Sequence, residues 1–114
     1  MTESDKRVNS RVSSKNLISY VCMDENDKIV ESGMGRTLNV SESGIMLETH
    51  NNINKNLNIL LSIVLEETLI DIKGKIVHSK SIDKDKYNIG IQFVGLDDTS
   101  RLQMTKFIRE FKSS

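Results

Sequence analysis

Residues 39–44 read Asn-Val-Ser-Glu-Ser-Gly and separate two short strand-like runs, residues 35–38 before them and residues 45–47 after them. Asn and Ser side chains bond readily to nearby backbone amides, and Gly tolerates positive φ. Such a segment turns one strand tightly into the next. The sequence therefore predicts a tight turn here, between a strand over residues 28–38 and a strand over residues 44–49.

Runs of strand-forming residues continue in both directions from this turn. Apolar and polar residues alternate along them, most clearly between residues 57 and 65, and polar breaks separate them. The further predicted strands cover residues 17–23, 57–65, 68–79 and 87–93. Six strands joined by short connections favour an all-β fold, in which one antiparallel sheet curls or closes on itself.

Local signals add detail to these strands. Gly33 and Gly35 predict a bulge or bend in the second strand. The pair at residues 66–67 predicts a tight hairpin, and residues 81–86 predict a charged turn. Alternation in the fifth strand predicts that one side of it carries Ile70, Ile72, Gly74, Ile76 and His78.

The end of the chain changes to a helical period. Asp97 or Asp98 is a suitable N-cap, because a carboxylate accepts backbone N–H groups and favours a helix N-terminus. The predicted helix presents a broad apolar face that packs beside the barrel or plugs it, with a partner-protein surface as the alternative. The residues assigned to this face are Leu102, Thr105, Ile108 and Phe111, with Met104 and Phe107 close by.

Composition sets limits on the function. The chain has 114 residues, enough for one domain with one core, and its formal net charge is zero, so any anion site must be local. Cys22 is the single cysteine, which suggests a reducing compartment, and it reads as a small buried hydrophobe rather than a catalytic thiol. The first residues are not followed by an apolar run, so we expect no signal peptide, and no run approaches the ~18 apolar residues of a spanning helix. We therefore expect a soluble, cytoplasmic protein without membrane insertion.

Signatures of catalysis are missing from the sequence. His50 and His78 are far apart and lack the spacing of a metal pair, and neither a nucleophile elbow nor a phosphate-cradling glycine loop occurs. The expectation is a protein that is not an enzyme and that needs no metal or cofactor. His78 is expected at the barrel rim, with stacking on a ligand as the alternative role.

The first 16 residues form a polar segment that we interpret as a flexible N-terminal arm. It carries Arg7 and Arg11, whose guanidinium groups can fork onto guanine or phosphate or stack on a purine. The predicted organisation is an arm over residues 1–16, a barrel over residues 17–96 and a helix over residues 97–114.

Arg-x-x-x-Arg at residues 7–11, followed by Asn-x-Ser-x-x-Gly at residues 39–44, resembles the PilZ domain family, the bacterial receptors for cyclic di-GMP. The similarity extends over residues 6–111, and residues 74–78 and 87–93 look like the family's fifth and sixth strands. This resemblance implies a six-stranded antiparallel β-barrel of the split-barrel type with a C-terminal helix. The strand pattern leads to the same fold independently.

The resemblance also implies a binding site for cyclic di-GMP. By it, Arg7 and Arg11 bind guanine and phosphate, while Asn39 and Ser41 contact the guanine from the barrel surface. Gly44 keeps the turn open, and Asn39 stands where Asp is common in the family. Two further candidate contacts are Lys6 and His78.

Three functions remain open at this stage. The first is a cyclic di-GMP receptor that orders its arm over the ligand and signals to a partner protein, as in motility or biofilm regulation. The second is a PilZ-like adaptor of motility or pilus machinery that binds no nucleotide. The third, a binder of single-stranded nucleic acid, is disfavoured because the few aromatic residues fall mostly at inward positions.

Overall fold

The fold is known from a computed structural model that describes residues 17–65 and 67–113. The predicted arm, with Lys6, Arg7 and Arg11, lies outside the described residues. The elements are β1 (Leu17–Met23), β2 (Ile29–Val40), β3 (Gly44–Thr49), β4 (Asn58–Leu65), β5 (Thr68–Asp83), β6 (Lys86–Phe93) and helix α1 (Asp98–Ser113).

The six strands form a closed barrel in the order β1-β2-β3-β6-β5-β4. Each strand pairs with its neighbours in antiparallel fashion, and β1 pairs with both β2 and β4, which closes the sheet. The predicted six-stranded antiparallel barrel with one C-terminal helix is therefore confirmed.

Alternating apolar side chains fill the barrel. In β4 the alternation is complete, since Ile59, Leu61, Ile63 and Leu65 are all buried. Cys22 points into the same core with an exposed fraction of 0%, and burial raises the pKa of its thiol to about 11. A thiol in this setting is a buried hydrophobe, as its apolar neighbours in the sequence suggest.

Helix α1 packs against the barrel core through one side. Its N-cap is Asp97, whose Oδ1 accepts the backbone N–H of Ser100 at 2.8 Å, and this bond lowers the pKa of the Asp97 carboxyl. Met104 and Phe107 are buried in the core. The prediction was wrong for Leu102, which is 68% exposed, and for Thr105, which is also exposed, because the buried side of the helix is centred on Met104 and Phe107 and leaves both residues facing away.

Two strand ends differ from the predictions by two residues or more. Strand β2 continues to Val40, so Asn39 belongs to a strand and only residues 41–43 connect β2 to β3. Strand β5 continues to Asp83, which shortens the predicted charged turn to two residues before β6. In both places the sequence assigns polar residues to a loop. In the structure they are exposed strand residues, because pairing with β3 or β6 satisfies the hydrogen bonds of their backbone groups.

Candidate functional site

Four residues from four neighbouring strands form one transverse row across the outer face of the barrel. Asn39 in β2 pairs with Met46 in β3, Met46 pairs with Gly90 in β6, and Gly90 pairs with His78 in β5. Three strand spacings of about 4.8 Å make this row about 14 Å long between the outer Cα atoms. The candidate residues Asn39 and His78 thus stand at its two ends.

Two β-bulges determine that these end residues point outward. The register of β2 shifts between Thr37 and Asn39, so that Thr37 and Val40 are both buried while Asn39 is exposed. The register of β5 shifts in the same way between Ile76 and His78. Strict alternation would turn both Asn39 and His78 into the barrel, whereas one extra residue in each strand reverses their direction.

Two predictions from the sequence are wrong at these bulges. His78 is exposed and does not share the buried face of Ile76. In β2 the register shifts against β3 at Leu38 and against β1 at Val30, so neither shift falls at Gly33 or Gly35. A period of two cannot reveal a bulge, because the extra residue is visible only once the partner strand fixes the register.

A shallow groove of about 280 Å³ follows this row, and we call it the strand groove. Sequence reasoning missed Gly90 in its floor, where an added Cβ would lie 2.9 Å from the Cβ of His78 and 3.7 Å from the Cε of Met46. Glycine at this position therefore keeps the floor of the groove open. A glycine within a strand pattern is a signal of close approach by another group and could have pointed to this place. The lining residues are Asn39, Val40, Ser41, Gly44, Ile45, Met46, Val77, His78, Gly90 and Ile91.

The residues that connect β2 to β3, 41–43, form what we call the motif turn. The backbone N–H of Ser41 donates to the carbonyl of Gly44 at 2.8 Å, and the N–H of Phe93 donates to the carbonyl of Ser43 at 2.9 Å. The Ser41 hydroxyl makes only longer contacts, 3.3 Å to Ser43 Oγ and to Ser43 N and 3.4 Å to Gly44 O. Since a good hydroxyl bond is about 2.7–2.8 Å long, this hydroxyl is weakly held and can turn toward a ligand.

Gly44 is required by packing against the neighbouring strand. It is the first residue of β3, and a Cβ there would lie 2.3 Å from the carbonyl oxygen of Ile91 in β6. The absence of a side chain at Gly44 therefore lets the β3 and β6 backbones approach closely. Gly44 lies in an extended strand, so it does not need the positive φ that the sequence suggested.

The Asn39 side chain is exposed beside the motif turn. Its Oδ1 accepts the backbone N–H of Val40 at 2.9 Å. An amide oxygen has two lone pairs, and the amide nitrogen carries two further donors. Asn39 can therefore keep this local bond and still form hydrogen bonds to a ligand in the strand groove.

The first described residue of the chain lies close to the same region. Leu17 pairs with Arg36 in β2, three positions before Asn39. Because β1 and β2 are antiparallel, the chain that precedes Leu17 joins the barrel at the end where the motif turn lies. Arg36 itself is engaged with Glu48, whose Oε1 accepts its Nε–H at 3.0 Å and an Nη2–H at 2.8 Å.

The strand groove has polar side chains and an apolar floor but little positive charge. None of its described lining residues is a Lys or an Arg. A phosphate ligand held there would need cations supplied by another part of the chain. Within residues 17–65 and 67–113, no group of three or more His, Cys, Asp or Glu is placed to hold a metal ion.

Comparison with known families identifies the fold. The family model of the PilZ domain matches residues 5–110, which is nearly the whole sequence. The chain belongs to the PilZ domain family. This is a family of cyclic di-GMP receptors, and the match includes both motifs that the sequence analysis singled out.

Solved PilZ structures share the fold at low sequence identity. The PilZ domain of YcgR from Escherichia coli, solved with c-di-GMP, is 9% identical with a TM-score of 0.62, covering 84% of this chain and 82% of that one. The PilZ domain of CeSA from a cellulose-synthesizing bacterium is 10% identical with a TM-score of 0.59, covering 84% and 93%. At these identities the similarity establishes the fold alone.

A longer protein also contains this fold. MrkH of K. pneumonia in its apo state is 16% identical with a TM-score of 0.61, and the match covers 84% of this chain. The chain spans about half the length of MrkH, since the match covers 46% of that protein. No curated protein sequence matches the chain. Of the helices that the structure describes, none is long and apolar enough to cross a bilayer.

Proposed function

We propose that this PilZ domain is a cyclic di-GMP receptor that orders its N-terminal arm over the ligand and signals to a partner protein. The observation that carries the proposal is the position of the motif residues. Asn39, Ser41 and Gly44 line one groove together with His78, although β5 contributes His78 from far along the sequence. In this proposal the protein acts in the cytoplasm, in motility or biofilm regulation.

Recognition of the base follows from the row of residues in the strand groove. The Oδ1 of Asn39 accepts an N–H from the guanine Watson–Crick edge. Gly90 and Met46 provide a floor without a projecting polar group, on which a flat purine can lie. His78 closes the far end of the row and stacks on a base.

Phosphate binding falls to the arm, because the strand groove lacks Lys and Arg among its described residues. Arg11 precedes Leu17 by six residues, and an extended chain of that length spans about 20 Å. Asn39 lies one strand spacing across and three residues along β2 from Leu17, a straight-line distance of about 11 Å. The tether is therefore long enough for Arg11 and Arg7 to reach a ligand, with Lys6 as a further cation.

Titration calorimetry with cyclic di-GMP tests this proposal directly. The unchanged protein should bind, and Arg7→Ala and Arg11→Ala should each lose about 5- to 150-fold in affinity, as expected for a lost bidentate purine contact. Cyclic di-AMP is the matched ligand control, because it keeps the phosphates and lacks the guanine edge. No heat of binding at tens of micromolar cyclic di-GMP would contradict the proposal and favour the nucleotide-free adaptor.

A further inference from the structure

A second groove lies on the other side of the motif turn, and we call it the helix groove. It has a volume of about 550 Å³. One wall is the motif turn itself, and the other is a stripe of α1 at Thr105, Ile108 and Lys112, whose spacings place them on one side of the helix. Ser41 lines both grooves, so a ligand bound at this residue has the strands on one side and the helix on the other.

Lys112 is the cationic side chain that lines the helix groove. It is exposed, and none of the ion pairs in the described part of the chain engages it. Glu42 is the other charged residue among the described residues that line this groove, so the charges of these lining residues sum to zero. The strand groove, by contrast, has no lysine or arginine among its described residues.

We propose that Lys112 is a ligand-binding residue whose ammonium group contacts a phosphate of the cyclic dinucleotide across the motif turn. This inference rests on the proposed receptor function. A cyclic dinucleotide is a dianion with two phosphodiesters, and the helix supplies one cation to it through Lys112 in the helix groove. The weakly held hydroxyl of Ser41, a residue that lines both grooves, donates to the same phosphate.

A contact at Lys112 also makes α1 part of the response to the ligand. A dinucleotide held by both Ser41 and Lys112 joins the helix to the motif turn through a charged contact that is absent without ligand. Binding then restrains the last turn of α1 as well as the arm. The C-terminal helix is in this way a second element that reports ligand occupancy to a partner.

Calorimetry on charge variants of the full chain tests the inference. At low salt, Lys112→Gln should bind cyclic di-GMP about threefold to tenfold more weakly than the unchanged protein. Lys112→Arg should restore most of the affinity because it keeps the charge. Lys106→Gln is the matched control, since Lys106 is an exposed lysine of the same helix that lines neither groove. The difference between the unchanged protein and Lys112→Gln should shrink as salt screens the contact.

The outcomes separate this inference from the receptor function. If the unchanged protein binds and Lys112→Gln binds equally well, Lys112 is not a ligand contact and the receptor function stands. If Lys112→Arg is as weak as Lys112→Gln, or if Lys106→Gln loses as much, the role is structural and the inference fails. If the unchanged protein does not bind at all, both proposals fail together.

Discussion

Asn39 and His78 lie at opposite ends of one row of paired residues, joined through Met46 and Gly90 across three strand spacings. Each follows a β-bulge that turns it from the barrel interior to the outer face. The two residues are 39 positions apart in the sequence, and His78 lies outside both sequence motifs. Their alignment makes a polar-ended groove of about 14 Å, which suits a flat purine between a hydrogen-bonding amide and an imidazole.

Replacing His78 tests the far end of this groove. His78→Ala should weaken binding of cyclic di-GMP about 5- to 150-fold, because base stacking on a side chain contributes about 1–3 kcal/mol. His78→Phe should retain binding, since a phenyl ring offers a similar flat face. His50→Ala is the control, because the Nδ1 of His50 lies 3.0 Å from the Asp85 carbonyl, outside the groove. Unchanged affinity of His78→Ala would show that His78 does not touch the ligand.

Replacing Asn39 tests the near end. Asn39→Ala should lower the affinity for cyclic di-GMP about 5- to 100-fold through the lost hydrogen bond to guanine. Asn39→Asp should bind at least as well as the unchanged protein, because a carboxylate accepts guanine N–H groups more strongly than an amide. Asn26→Ala, in the exposed β1–β2 turn, provides the control. Titration of the three variants side by side gives the answer, and an Asn39→Ala variant as tight as Asn26→Ala would contradict it.

Replacing Gly44 tests why glycine is needed in the motif. Gly44→Ala should lower the free energy of unfolding by about 2–3 kcal/mol, because the new Cβ meets the Ile91 carbonyl oxygen of β6. The thermal midpoint should fall by about 10 °C or more. Gly95→Ala is the contrasting variant, since Gly95 has φ +66° and an added Cβ there meets nothing within 4 Å, so only backbone strain of about 1 kcal/mol is added. Equal losses in the two variants would show that close approach to β6 is not the reason for Gly44.

The stability of the barrel should depend on pH above neutrality through Cys22. Burial raises the pKa of this thiol from 9.0 to about 11, with a smaller contribution from the charge of Glu31. Between these values the folded protein retains a proton that the unfolded chain has released. The free energy of unfolding should therefore be fully maintained below about pH 9 and fall as the pH rises toward 11.

Urea unfolding at several pH values measures this dependence. Cys22→Ala should unfold more easily at pH 7 because it leaves a small cavity, and it should show a flatter pH profile between 9 and 11. Burial also raises the pKa of Tyr20, so a part of the slope should remain in the variant. An identical slope with and without Cys22 would contradict the assignment.

The repeating parts of the fold were predictable from local patterns. Strand β3 was predicted over the residues that form it, and the alternation in β4 identified Ile59, Leu61, Ile63 and Leu65 as inward residues. Both features follow from the two-residue period of a strand with one buried face. The N-cap at Asp97 was also predictable, because capping depends on a side chain and the amides within one turn of it.

Features that depend on packing between distant segments were not predictable in this way. Leu102 matched a helical period yet is exposed, since the barrel meets the other side of α1 at Met104 and Phe107. Gly90 is a glycine within a strand pattern, which signals close approach by another group, but only the structure shows that Met46 and His78 are the residues that approach it. In each case the deciding contact comes from residues far away in the chain.

The amino-acid sequence alone determined the six strands, the terminal helix and the motif pair, because local periodicity, turn chemistry and short-range spacing are properties of neighbouring residues. Only the tertiary structure determined which residues share a surface. The bulges before Asn39 and His78 set their outward direction, and the packing of α1 brought Lys112 beside the motif turn. Register and packing are relations between distant segments, so they become defined only when the barrel closes.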